Sequence, residues 1–216
     1  PMVFLAKDDL GYRNLLKLIS QAYLEGEDTH NPQVPFSVLE KYSKSMVALT
    51  GGPAGPVGQL LQQGHPEKAR TLLKQQLSTF GDRLYVEIQR HGLHAENQTE
   101  EAFIELAYAL NIPLVATNEV YFSTKDMHEA HDVLICISDG AYLSQTDRRQ
   151  MTSEHYFKSA SEMRGLFKDL PEAVDNTLVI AQRCSYKISA IDPILPPYNS
   201  DAGRNEEDEL RSQAKA

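Results

Sequence analysis

Apolar residues along the chain alternate between short continuous runs and longer stretches with helical spacing. The short runs predict strands over residues 2–6, 46–50, 84–89 and 113–117, and the alternation within 84–89 implies that one of its faces is wet or lines a site. Between them, spacing of three and four residues predicts helices, over 11–23, 36–42, 58–63, 66–80 and 99–110. Strands that alternate with helices in this way indicate parallel βαβ units, and therefore an α/β fold.

After residue 125 the pattern predicts helices only, over 125–137, 161–167 and 171–184. Residues 188–198 are rich in proline and are expected to be extended. Residues 199–216 are polar and charged, which is typical of a linker that enters another helix.

The beginning of the chain is unusual for a complete fold. Pro1 is followed at once by an apolar run that predicts a buried strand with nothing before it to pair with. We therefore expect an N-terminal portion of the fold to be missing, and no signal peptide is visible.

Composition and charge narrow the class of protein. The 216 residues are 41% hydrophobic and 24% charged, which is ordinary for a soluble domain with its own core. The net charge of −9 argues against a surface that grips a phosphate backbone. Only Cys136 and Cys184 are present, which fits free thiols in the cytoplasm. No apolar run reaches the ~20 residues of a membrane helix.

Ligands of parallel α/β folds bind at the carboxyl ends of the strands. Apart from Lys7 and Arg90, the candidate side chains there are His91 and Glu119. A metal hydrolase needs several histidines and carboxylates that converge on one place. The strand ends therefore predict a site that is poorly equipped for catalysis.

The remaining candidate groups have ordinary structural explanations. His128 and His131 are three residues apart, whereas a zincin needs His-Glu-x-x-His, so we expect His131 to pack or cap and His128 to be solvated. His155 is expected to pack against the aromatic pair that follows it. His30 and His65 are placed in polar loops, and His94 in a turn.

The glycine-rich stretch 51–58 lacks the Gly-Lys-Ser/Thr ending of a phosphate-binding loop, and its prolines remove amide donors. We interpret it as a tight turn between a strand and a helix. Cys136 lies in an apolar helical segment and is expected to be a buried structural thiol.

Several motifs occur in the same order along nearly the whole chain. They include Gly-Tyr-Arg-Asn at 11–14, Leu-Thr-Gly-Gly at 49–52, Val-Glu-Ile-Gln-Arg-His-Gly at 86–92, Val-Ala-Thr-Asn at 115–118 and Leu-Pro-Glu-Ala-Val at 170–174. Together they resemble the PHP domain of the bacterial DNA polymerase III alpha subunit. Each motif is weak alone, but their collinear order makes the resemblance specific.

The resemblance implies a partial (βα)7 PHP-type distorted TIM barrel with additional C-terminal helices. Residues 1–198 would be the C-terminal portion of the PHP domain, with its N-terminal strands missing. Residues 199–216 would be a linker toward the polymerase palm region. The earlier metal motifs of the barrel and the acidic motifs of the palm would lie outside this sequence.

The resemblance also assigns four positions to the later metal ligands of metal-binding members. They fall on Pro1, Gly52, Glu119 and Tyr121, of which only Glu119 keeps a suitable ligand. We therefore expect a degenerate metal site, with no catalytic and no cofactor-binding residue in this chain. Mg²⁺ would serve the palm of the parent polymerase.

The function implied is that of the catalytic alpha subunit of the replicative DNA polymerase, with this PHP segment in a structural and docking role. Its partners would be the proofreading exonuclease subunit, other replicase subunits and, through the rest of the parent protein, primer–template DNA. Two alternatives remain open: a metal-dependent PHP phosphoesterase or proofreading nuclease, and the PHP domain of an error-prone paralogue. A half barrel would expose strand edges, so repacking or dimerisation is expected.

Overall fold

A computed structural model describes residues 1–26, 32–190, 192–193 and 203–215 of the protein. Contacts within the chain divide it into two units, Pro1–Tyr186 and Lys187–Ala216. The first unit contains the sheet, and the second contains the polar helix Glu206–Lys215. Most of the segment predicted to be extended, 188–198, lies outside the described residues, as do residues 199–202 of the predicted linker.

The sheet has four strands, and their order in space is their order in the chain. All four predicted strands are confirmed, as β1 (Val3–Ala6), β2 (Met46–Leu49), β3 (Leu84–Gln89) and β4 (Leu114–Thr117). β2, β3 and β4 are parallel to one another, as the alternation of strands and helices predicts.

β1 departs from the predicted parallel arrangement, because it runs antiparallel to β2, with Val3 opposite Leu49 and Ala6 opposite Met46. The cause lies in the connection that follows β1. The amide of Lys7 donates to the carbonyl of Ser45 at 3.0 Å, and Gly11 packs against the same carbonyl. The end of β1 is thereby held beside the beginning of β2.

The prediction that β1 is a buried strand is also wrong. Its residues are half-buried and Val3 is exposed, because β1 lies at an edge of the sheet, where one side of the strand has no neighbour. An apolar run of this length has the same appearance in a buried strand and in a partly covered edge strand.

Nine helices lie in the described part of the chain. They are α1 (Asp9–Leu24), α2 (Phe36–Tyr42), α3 (Pro56–Gln62), α4 (Pro66–Phe80), α5 (His94–Leu110), α6 (His128–Asp139), α7 (Ala160–Leu166), α8 (Pro171–Arg183) and α9 (Glu206–Lys215). Each predicted helix is present. α5 begins five residues earlier than predicted, and α6 begins after a 3-10 turn at Lys125–Met127.

Both faces of the sheet are covered, which explains why the strands are apolar along their length. One face contributes Met46, Leu84 and Val86 to the larger core, together with side chains from the helices. The opposite face contributes Val47, Leu49, Tyr85 and Val115, packed against Ile180 of α8. Among the described helices, none combines the length and the apolarity needed to cross a membrane.

Candidate functional site

One end of the sheet brings together positions from all four strands. The carboxyl ends of β2, β3 and β4 meet there, since these strands are parallel. The antiparallel β1 adds its amino end, so Pro1 lies beside Gly51, where a Cβ atom would overlap the carbonyl oxygen of Pro1. We call the polar side chains at this end the strand-end cluster, defined as Glu87, His91, Glu96, Asn118, Glu119, Tyr121, His155 and Lys158.

Glu87 is a buried carboxylate in β3 that connects its two neighbouring strands. Oε2 accepts the amide of Gly51 at 3.0 Å, and Oε1 accepts the hydroxyl of Thr117 at 2.6 Å. Burial raises the pKa of Glu87, and these two hydrogen bonds partly oppose that rise. The side chain therefore fastens the ends of β2 and β4 to the strand between them.

His91 follows β3 and is 2% exposed. Its Nδ1 lies 2.7 Å from Oε1 of Glu96, while the amides of His91 and Leu93 donate to Oε2 at 2.7 and 3.0 Å. Burial raises the pKa of Glu96, but these hydrogen bonds together outweigh it, so the pKa lies below its ordinary value.

The other ring nitrogen of His91 is occupied as well. Nε2 accepts the amide of Glu119 at 3.0 Å, which leaves the hydrogen on Nδ1, facing Glu96. The Oδ1 atom of Asn118 also lies close to Nε2, at 3.1 Å. His91 thus joins β3, α5 and the end of β4, and offers no unoccupied nitrogen to a substrate.

His155 stacks on His91 from a segment far along the chain. The ring centroids are 4.2 Å apart with an angle of 14° between the planes, and His155 is 1% exposed. The Thr152 hydroxyl donates to the carbonyl of His91 at 2.7 Å and lies 3.0 Å from Nδ1 of His155. Burial lowers the pKa of His155, and the neighbouring His91 lowers it further.

Lys158 is contributed to the strand-end cluster by the same segment as His155. Its ammonium group donates to the Glu154 carbonyl and lies 3.4 Å from Oδ1 of Asn118, 4.3 Å from the centre of the Tyr156 ring. Burial lowers the pKa of Lys158. These contacts fix the segment that contains His155 against the end of β4.

The four positions assigned to metal ligands all lie at this end of the sheet. Pro1 is exposed and Gly52 is buried, with Oε1 of Gln89 2.8 Å from where a Cβ of residue 52 would lie. Glu119 accepts the hydroxyl of Tyr121 at 2.5 Å, which raises the pKa of Tyr121. Proline and glycine carry no ligating side chain, so Glu119 and Tyr121 are the two of these four positions that offer an oxygen donor. Across the described ranges, no group of three or more His, Cys, Asp or Glu is placed to hold a metal ion.

The histidines outside the strand-end cluster have structural surroundings. His131 packs against Phe122, with ring centroids 5.3 Å apart, which confirms the packing prediction. His128 was predicted to be solvated, but it is half-buried and its Nε2 lies 2.8 Å from the Met151 carbonyl oxygen. His65 precedes α4 and is exposed, and His94 is the first residue of α5 instead of part of a turn. His30 lies outside the described residues.

Two further interpretations of the sequence are confirmed. The glycine-rich stretch forms a 3-10 turn, Gly52–Ala54, that leads into α3, with positive φ at Gly51 and Gly52. Cys136 is a buried free thiol. Cys184 is also free, and burial raises the pKa of its thiol.

Several members of the strand-end cluster were missed by sequence reasoning, among them His155, which was expected to pack against the aromatic pair that follows it but stacks on His91. Glu87 lies inside an apolar strand, where its alternation suggested a wet or site-lining face, not a buried bridge. Glu96 lies three residues after the residue that precedes α5, and glutamate at that spacing is a known signal of a helix start. Lys158 matches no motif: Glu154 and Tyr156 lie near it in the chain, and the fold brings Asn118 to it.

Arg90, which precedes His91 of the strand-end cluster, makes a further set of contacts. Its guanidinium group pairs with Glu100 at 2.6 Å and with Asp169 at 2.7 Å, and it lies over the ring of Phe167 at 4.6 Å from the centroid. The hydrogen bond from Arg90 lowers the pKa of Asp169 to about 2. Arg90 therefore connects the end of β3 to α5 and to the turn between α7 and α8.

The sequence is similar to that of several known proteins. Residues 1–91 match the PHP domain family. Over 99% of its length the chain is 46% identical to the DNA polymerase III subunit alpha of Caulobacter vibrioides and 40% identical to that of Rickettsia bellii. Over 96% of its length it is 36% identical to that of Pseudomonas aeruginosa. The chain spans 19%, 18% and 18% of the length of these three relatives.

Proposed function

We propose that this chain, a PHP-domain homologue of the DNA polymerase III alpha subunits, is a structural and docking segment of the catalytic subunit of a replicative DNA polymerase. The similarity over 99% of the chain carries this proposal. The strand-end cluster supports it, because its groups bind one another instead of converging on a vacant position for a substrate. The free thiols of Cys136 and Cys184 suit the cytoplasm, where replication takes place.

The DNA polymerase activity belongs, in this proposal, to regions of the parent protein other than residues 1–216. Primer extension with Mg²⁺ by the full-length product of the gene tests it. We expect template-directed synthesis by the full-length protein and none by residues 1–216 alone. A full-length protein that binds primer–template DNA without extending the primer would contradict the proposal.

The sheet and helices are proposed to be part of a larger (βα)7 PHP-type barrel, with residues 1–198 in that domain and 199–216 leading toward the palm. The family match to residues 1–91 and the three parallel strands support this arrangement. A structure of the full-length protein in which further strands continue the sheet would establish it. A closed domain formed by residues 1–186 alone would exclude it.

The metal site of the barrel is proposed to be degenerate. Pro1 and Gly52 supply no ligating side chain, and both ring nitrogens of the nearby His91 are already engaged. In calorimetry, we expect Zn²⁺ and Mn²⁺ to bind the full-length protein at this site no better than an acidic surface binds them. Glu119→Gln is the matched control, and it should leave the weak signal unchanged.

A stoichiometric, submicromolar site that Glu119→Gln abolishes would instead favour the alternative of a metal-dependent phosphoesterase or proofreading nuclease. That activity requires ions that lower the pKa of a bound water. Proofreading would otherwise have to come from a separate exonuclease subunit, which is the partner proposed for this segment.

Docking of the proofreading exonuclease subunit is tested by a pull-down with the full-length protein and the exonuclease of the same organism. We expect a stable complex, and we expect it to persist when Mg²⁺ is removed by a chelator, because no metal bridges the partners in this proposal. Failure of the full-length protein to retain the exonuclease would count against the docking role and leave the polymerase assignment intact.

A further inference from the structure

A groove of about 730 Å³ runs along α5. Its volume lies within the range of roughly 300–1,000 Å³ that is usual for binding pockets. Its apolar part consists of Ile104 from α5 and Leu166 from α7, which are half-buried against the larger core. Carboxylates line much of the rest, and they are Glu100, Glu101, Glu105 and Glu154. We call this feature the α5 groove.

Two of these carboxylates are already neutralised. Glu100 pairs with Arg90 at 2.6 Å, and Glu154 pairs with Lys125 at 2.5 Å. Arg90 is the cation that lines the groove, and it also binds Asp169 at 2.7 Å. Its single positive charge is therefore shared between two carboxylates and is not available to the remaining glutamates.

Glu101 and Glu105 are the carboxylates without a cation. Both are exposed, and neither side chain has an ion pair or a hydrogen bond within the described residues. Their own helix supplies no partner, since α5 contains no lysine or arginine. They lie one helical turn apart, where like charges repel and destabilise a helix. A positively charged ligand in the α5 groove would relieve that repulsion.

The polar character of the groove favours a partner that binds reversibly. Interfaces between permanently associated chains are more apolar. Exposed carboxylates, in contrast, stay hydrated while the groove is empty, so the domain does not need an occupant to be stable. Charge pairs at such a surface speed up association and are screened by salt.

The spacing of the acidic side chains matches a helix. Residues four apart on a helix have β carbons roughly 6 Å apart, so two basic residues at that spacing can face Glu101 and Glu105 together. An aliphatic side chain between them can then reach Ile104 and Leu166, as in other complexes of an amphipathic helix in a groove.

We propose that the α5 groove docks a basic amphipathic helix of a separate protein. Lysine or arginine residues one turn apart on that helix pair with Glu101 and Glu105, and its aliphatic side chains pack on Ile104 and Leu166. The proposal goes beyond the function proposed above, because it names a surface of this chain and the chemistry of the segment that binds there.

Fluorescence anisotropy with the full-length protein tests the docking. The probe is a fluorescein-labelled peptide that repeats Lys-Leu-Ala-Lys-Leu-Ala-Lys twice, which as a helix has leucine on one face and lysine on the other. We expect saturable binding at about 0.05 M salt that weakens as salt is added. The double variant Glu101→Gln/Glu105→Gln should raise the Kd about fivefold, because two exposed charge pairs are lost.

The matched control is Glu40→Gln/Glu129→Gln, which removes the same charge from exposed positions of α2 and α6 that do not line the groove. It should raise the Kd by less than about twofold, because distant charges are screened. Both double variants should fold, since glutamine and glutamate have similar helix propensities. Equal increases in the two double variants would overturn the proposal, because the net charge of the chain would then attract the peptide.

The apolar contact is tested through the probe. A peptide with alanine in place of each leucine should bind at least about tenfold more weakly, because it buries less apolar surface. Equal binding of the two peptides would overturn the proposal, since Ile104 and Leu166 would then play no part. A full-length protein that shows no saturable binding would overturn it as well. Primer extension by the same preparation reports on the polymerase assignment separately.

Discussion

Glu87 carries a carboxylate into the interior of the sheet, where Gly51 and Thr117 donate to its oxygens. The Glu87→Gln substitution removes the cost of burying a charge, and a glutamine amide can still accept from Gly51 and donate to Thr117. We expect the free energy of unfolding of this variant at neutral pH to equal or exceed that of the original protein. Urea denaturation measures it.

The Glu87→Ala substitution provides the contrast at the same position. It leaves the amide of Gly51 and the hydroxyl of Thr117 without a partner, which should lower the free energy of unfolding by about 1–3 kcal/mol. Equal losses in the glutamine and alanine variants would show that the charge itself, and not the pair of hydrogen bonds, stabilises the strand ends.

His155 gives the protein a dependence on pH in the weakly acidic range. Its pKa in the folded protein lies below the ordinary 6.5, because the ring is buried and faces His91; Glu119 and Glu96 oppose the shift. Below pH 6.5 the unfolded chain therefore binds the proton more readily than the folded protein does. The free energy of unfolding is expected to fall as the pH is lowered from about 7.5 to about 5.5.

His155→Gln keeps a polar side chain but cannot be protonated in this range. Denaturant titrations at the two pH values should show a smaller loss of stability on acidification in the variant than in the original protein. An identical loss in both proteins would assign the pH dependence to other groups.

At the scale of the elements, Gly11 determines how α1 meets the sheet. It lies in the first turn of α1, where a Cβ atom would overlap the carbonyl oxygen of Ser45 and lie 3.3 Å from Cα of Ala6. The obstacle is backbone and cannot rotate away. We expect Gly11→Ala to lower the free energy of unfolding by about 1–3 kcal/mol.

Gly165→Ala is the matched control, because Gly165 is also helical and a Cβ there would meet open space. Alanine is preferred over glycine in a helix, so this variant should be more stable by roughly 0.5–1 kcal/mol. Thermal unfolding of the two variants should therefore shift in opposite directions. A stabilising effect of Gly11→Ala would show that α1 does not need its close approach to Ser45.

The sequence predicts the strands well, because apolar runs bounded by turn residues are a local signal. It does not predict the direction of β1, which depends on the contact of Gly11 with Ser45, two residues that are distant in the chain. The sequence does not predict the start of α5 at His94, because the first turn is polar and carries no helical repeat of apolar residues.

The strand-end cluster shows the same contrast between local sequence signals and contacts of residues that are distant in the chain. His91 and Glu119 are found by the rule that sites lie at strand ends. His155 and Lys158 reach the cluster from a later segment, which is fixed by a bridge between Phe122 and Tyr156 that no local pattern encodes. Glu87 is hidden by the apolar residues on either side of it.

At the scale of the whole molecule, the net charge of −9 is expected to weaken the affinity of the chain for nucleic acid. Affinity for duplex DNA requires lysine and arginine side chains that displace counterions from the phosphates. In fluorescence anisotropy at about 0.15 M salt, we expect no saturable binding of primer–template DNA by residues 1–216. Micromolar binding that weakens steeply as salt is added would reveal a basic surface that the composition conceals.

The four strands lie side by side in the order in which the chain is synthesised. On the ribosome, each strand can therefore join an edge that already exists, and no earlier pairing has to open to admit a later strand. β4 joins last and is secured by α8, where Asn176 donates to the carbonyl of Leu114 at 2.7 Å. Translation can thus deliver the strands in the order in which the sheet adds them.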